Sequence, residues 1–210
     1  MTIALILAVS AVAVALLGGR GSYRRMRPYA DLFLLGVGFL LLNTKSITGF
    51  ALLFGTTWVV NAIVFAGVLV AVLAAVEVTR RFRTPPIRVM YVVLFAGLLL
   101  AWLFPNEWLL AMPVPLRAVV AVTVAFLPIF AANVVFAKRF TDTEDGTAAF
   151  GANLLGAMVG GCLEYLGLIV GFPGLLVIAA LVYGGALALM PRAARLGAES
   201  GGTRHRELVT

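Results

Sequence analysis

Seven apolar runs, joined by connections too short to hold a soluble domain, leave this chain little choice but a bundle of membrane-crossing helices. The runs are Ile3–Leu17, Asp31–Phe54, Trp58–Val78, Ile87–Phe104, Val114–Ala137, Thr147–Val170 and Pro173–Met190. A helix needs about 20 apolar residues to cross the hydrocarbon core, with about 17 to 25 usual. The first run is slightly short and the others meet that requirement. Gly18, Gly19 and Gly21 break the chain after the first run, and Pro85-Pro86 separates the third from the fourth. Pro105 ends the fourth, Pro113 and Pro115 open the fifth, and Gly171-Phe172-Pro173-Gly174 turns the sixth into the seventh. The expectation is an all-α polytopic bundle over residues 1–190, followed by a polar tail at 191–210. Met1-Thr2-Ile3 carries no charge, so the first run reads as an uncleaved span, not a signal peptide.

The charges fix an orientation for that bundle. The chain has 16 basic and 9 acidic residues, a formal charge of +7. Arg20, Arg24, Arg25 and Arg27 follow the first run; Arg80, Arg81, Arg83 and Arg88 follow the third; Lys138 and Arg139 follow the fifth. Arg192, Arg195, Arg204 and Arg206 lie in the tail. With seven spans all of these fall on one face, leaving only Lys45 and Arg117, and the positive-inside rule makes that face cytoplasmic. The N-terminus is then outside, the C-terminus inside, and the expected location is a bacterial inner membrane. The clusters are short and interrupt apolar runs, with no basic helix face, so nucleic acid is not an expected partner. Their simplest role is to set topology and touch anionic headgroups. The acidic segment Asp142, Glu144, Asp145 reads as a solvated loop.

Composition excludes other classes. The chain is 62% hydrophobic and 12% charged, whereas soluble domains are roughly half apolar and a quarter charged. A single cysteine, Cys162, and a single histidine, His205, make a His/Cys metal site unworkable. No dinucleotide, Walker, zinc-protease or nucleophile-elbow motif is present, so neither a cofactor nor catalysis is expected. Gly36 and Gly38 form a lone GxG in an apolar span and read as packing positions.

Charges at membrane depth are costly and face protein or water. Lys45 lies 14 residues beyond Asp31, and Glu164 lies 17 beyond Thr147. At about 1.5 Å per residue these are roughly 21 and 26 Å from the inner side, a common height in the outer half. Ala152, Gly156, Gly160 and Glu164 recur every four residues, with Gly161 alongside, a stripe that lets a second helix approach closely. A carboxylate continuing such a stripe needs a cation, a donor or its own proton. Lys45 and Glu164, with Asn43 and Asn61 nearby, are therefore candidates for an ion pair or a substrate site. Thr44, Ser46, Thr48, Thr56 and Thr57 add hydroxyls, and Asn133 and Asn153 form a second polar layer nearer the inner side. Interhelical hydrogen bonding is the competing reading for all of them. Pro128 marks a kink in the fifth run.

The stretches DLFLLGVGFLLLNTKSITGFALLFGTTWVVNA and FGANLLGAMVGGCLEYLGLIVGFPGLLVIAALVYGGAL resemble the membrane region of bacterial spermidine synthase-like integral membrane proteins. The resemblance covers residues from about 30 to 190. It implies a bundle like half of a facilitator-type transporter, which in that family accompanies a Rossmann aminopropyltransferase domain. That domain is missing from this sequence, and Asn43 stands where the resemblance implies an acidic residue. It thus implies a non-enzymatic module, transporter-like or a subunit of a membrane complex, and polyamines as the first solutes to consider. Its partners would be the lipid bilayer and a second membrane subunit or copy of itself. The alternative is an anchor for a separate soluble synthase-like enzyme, and an intramembrane enzyme ranks below both.

Overall fold

The structure, a computed structural model, describes residues 22–81, 85–104 and 106–191. The expected first span Ile3–Leu17, the tail beyond Pro191, and Arg20, Arg83 and His205 lie outside them. Among the described residues every regular element is helical: α1 (Ser22–Met26), α2 (Ala30–Phe54), α3 (Trp58–Arg81), α4 (Ile87–Leu103), α5 (Asn106–Leu110), α6 (Val114–Thr141), α7 (Gly146–Leu163) and α8 (Gly167–Leu189). Short 3-10 turns cover Arg27–Tyr29 and Glu164–Leu166.

The ends of these helices follow from local chemistry. Gly55 stops α2 with φ 97°, a left-handed angle that suits glycine, and its N–H returns to the Ala51 carbonyl. Pro86 and Pro113 precede α4 and α6, where a missing N–H costs nothing. Asp145 caps α7 by accepting from the Ala148 N–H at 3.0 Å. It is thus a structural cap, not merely part of a solvated loop. Gly171, at φ 72°, breaks α8, so the chain runs as one rod over Gly146–Gly171 and a second over Pro173–Leu189.

Four rods are long and apolar enough to span a bilayer: Arg24–Phe54, Trp58–Arg81, Val114–Thr141 and Gly146–Gly171. Ile87–Leu103 and Pro173–Leu189 are apolar and shorter. Large apolar side chains such as Ile63, Leu69, Leu73, Val92, Val119 and Leu168 are exposed on the outside of the bundle. A water-soluble protein would hide them, whereas lipid solvates them.

Helix α2 packs against α7 and α8, and α6 packs against α3 and α4; α2 and α6 join the two groups. Small residues set the closest approach. A Cβ on Gly156 would lie 1.9 Å from the Phe33 carbonyl oxygen, one on Gly160 2.6 Å from that of Val37, and one on Gly36 2.1 Å from that of Asn153. Here α2 and α7 touch backbone to backbone. Ala152 is buried on the same face, whereas a Cβ on Gly161 would meet nothing. Gly38 makes room for the buried ring of Tyr183.

Candidate functional site

Two polar layers cross the bundle, one just past the middle of α2 and one at its start. The first surrounds Thr44. Its hydroxyl donates to Glu164 Oε2 at 2.5 Å, joining α2 to the end of α7. Thr48 donates back to the Thr44 carbonyl at 2.8 Å. Glu164 opens the 3-10 turn that interrupts the Gly146–Gly171 rod, a tightening often found at hinges and functional sites.

Lys45 stands at the same level but on a different side. Successive residues of a helix are turned by about 100°, so adjacent side chains face different neighbours. While Thr44 faces α7, Lys45 lines a small cavity with Ser46, Phe50, Phe104, Leu109 and Ala121. That cavity lies between α2, α5 and α6. Among the described residues Lys45 has no hydrogen bond or ion pair, so Glu164 takes its donor from Thr44 instead.

The two asparagines behave differently. Asn43 Oδ1 is buried without a hydrogen-bond partner among the described residues. Asn61 sits in the first turn of α3, half-buried, and is not part of the cavity wall. Arg117, one turn from Ala121 on α6, stacks over the Phe54 ring at 5.3 Å. Its Nε is buried with no hydrogen-bond partner among the described residues.

The second layer closes the opposite end. Arg139 Nε donates to Asp31 Oδ2 at 2.6 Å, with side chains only 5% and 1% exposed. Charge counting treats Arg139 as a loop residue that sets topology; the structure buries it as the clasp between α6 and α2. Tyr29 Oη accepts from the Asp145 N–H at 3.0 Å, and Asn153 donates to the Leu32 carbonyl at 3.1 Å. Lys138 donates to the Pro85 carbonyl. Asn133 donates to the Ile129 carbonyl at 2.7 Å, within its own helix. The rim of this end carries exposed Arg24, Arg27 and Arg88, while Arg80 and Arg81 share Glu77. No group of three or more metal-ligating side chains occurs among the described residues.

No protein family, curated protein or solved structure was found to match the chain.

Proposed function

We propose that this chain is a non-enzymatic integral membrane module of seven spans, transporter-like or the solute-handling subunit of a membrane complex. Its N-terminus lies outside and its C-terminus in the cytoplasm of a bacterial inner membrane. One observation carries the reading: the α2–α6 seam is clasped by Asp31 and Arg139 at one end and, toward the other, holds on a cavity Lys45, unpaired among the described residues. Such a seam has a closed end and an end where charge awaits a partner. Separating the two helix groups by breaking the clasp would expose the layer to the other side, the motion alternating access requires. A bundle of this size is about half of a facilitator-type transporter, so a second copy or partner would complete the pathway.

The test is solute flux in proteoliposomes, beginning with polyamines because of the sequence resemblance. Flux that falls in both Lys45→Met and Glu164→Gln supports the reading, and full flux in both variants sinks it.

The exposed arginine rim at the Arg139 end favours a second reading, an anchor that docks a soluble synthase-like enzyme. It requires a soluble partner that copurifies and is lost when Arg80, Arg81 and Arg83 are replaced together.

A further inference from the structure

We propose that the Lys45 cavity is a binding site for a small monovalent anion of halide size. This deepens the solute-handling reading above by naming a ligand class, although binding itself can be measured without transport.

The charge of the site comes first. Lys45 stands on the cavity wall with no hydrogen bond or ion pair among the described residues, and in its protonated form it brings a positive charge there. Arg117 lies four residues before Ala121 on α6, hence on the same helix face and one turn toward the end of the seam. Its Nε is buried and unbonded, and Phe54 supplies only the face of a ring. Phe54 in turn stacks on Phe50, a wall residue, at 5.8 Å. Two basic side chains thus stand along one seam.

Among the described residues no carboxylate answers them. Glu164 is bound by Thr44 on another face of α2. Glu107, carried by the same short helix as the wall residue Leu109, is exposed and joins no ion pair among the described residues. An ammonium inside an apolar bundle is expensive unless a counter-charge or dipoles compensate it. A mobile anion satisfies that requirement.

The walls set the size. Apart from Lys45 and Ser46 they are apolar or glycine, and the space open to the centre of a water molecule is about 20 Å³. That holds one water-sized body. A halide fits such a space and asks for fewer hydrogen bonds than a tetrahedral phosphate, for which this wall offers few donors. The Ser46 hydroxyl supplies the one neutral donor beside Lys45 on the wall.

The experiment uses the full chain in a zwitterionic detergent and follows the width of the chloride-35 resonance as protein is added. Wild type is expected to broaden the line saturably, with bromide reversing the effect. Lys45→Met abolishes the broadening, Arg117→Gln reduces it several-fold, and Gly161→Ala, outside the cavity wall, leaves it intact. Thermal unfolding controls for folding: chloride raises the melting temperature of wild type and not of Lys45→Met. Absence of saturable broadening in wild type, or broadening that survives Lys45→Met, overturns the proposal. Anion binding without flux would overturn the transporter reading alone, and polyamine flux without anion binding would overturn the site alone.

Discussion

Arg139 Nε lies 2.6 Å from Asp31 Oδ2, so one buried ion pair holds the end of α6 to the start of α2. Removing two charges from water is costly, and their attraction offsets that cost only with good geometry and further hydrogen bonds. Asp31 Oδ1 has no partner among the described residues, so the pair is incompletely satisfied. Its value therefore lies in specifying which helix ends meet, more than in net stability.

Arg139→Met strands a buried carboxylate and is expected to destabilise the bundle by about 3–5 kcal/mol. The double variant Asp31→Leu/Arg139→Met, which removes both charges, should recover most of that loss. Denaturant or thermal unfolding of the purified protein in detergent measures both. If the double variant is as unstable as Arg139→Met, the clasp provides more than charge compensation.

Close backbone contact makes a sharper forecast on α7. A methyl group at Gly156 would collide with the Phe33 carbonyl at 1.9 Å, and backbone cannot turn aside as a side chain can. Gly156→Ala should cost at least about 1–3 kcal/mol by forcing α2 and α7 apart. Gly161→Ala meets nothing within 4 Å and should be neutral, or stabilise by up to about 1 kcal/mol through helix propensity. Parallel melting curves of the two variants decide the matter, and equal losses would refute the packing geometry.

The helical rods were legible because hydrophobic length and Gly-Pro punctuation are local properties, and α2, α3, α4 and α6 start and stop close to the apolar runs. Relative level along the bundle was also legible, since counting residues along a rigid helix sets the Thr44–Lys45 segment level with Glu164, and Thr44 meets Glu164. What counting cannot supply is azimuth. A step of one residue along α2 exchanges the α7 side for the cavity side, and this decides that Thr44, not Lys45, reaches Glu164. The Asp31–Arg139 pair was hidden for a different reason. Arg139 stands among residues that look like a topology signal, and only the packing of α2 beside α6 brings it to the opposite charge. Both residues sit at helix ends on one face by the seven-span parity, which is the clue that could have paired them.

The Thr44–Glu164 hydrogen bond has a measurable worth. Interhelical hydrogen bonds in membrane bundles contribute about 0.6 kcal/mol on average and up to about 1.7. A carboxylate acceptor at 2.5 Å belongs at the upper end. Thr44→Val should therefore cost about 1–2 kcal/mol, while Thr44→Ser keeps the donor and stays near wild type. In a double-mutant cycle with Glu164→Leu, a coupling energy near zero would remove the bond from the account of the fold.

Orientation can be tested at two exposed positions that flank opposite ends of α4. Arg88 lies at its start, near the Lys138–Pro85 contact, and Glu107 lies in α5 just beyond its end. With the native thiol removed by Cys162→Ser, single cysteines are introduced as Arg88→Cys or Glu107→Cys. A membrane-impermeant maleimide added to spheroplasts should label Glu107→Cys at once and Arg88→Cys only after lysis. The physical basis is the charge bias, because the exposed Arg24, Arg27, Arg80, Arg81 and Arg88 all belong to the Arg88 face. The converse labelling pattern would put the Asp31–Arg139 clasp on the outside and the Lys45 cavity toward the cytoplasm. Alternating access would then begin from the opposite side, with the same residues exchanging the roles of entry and exit.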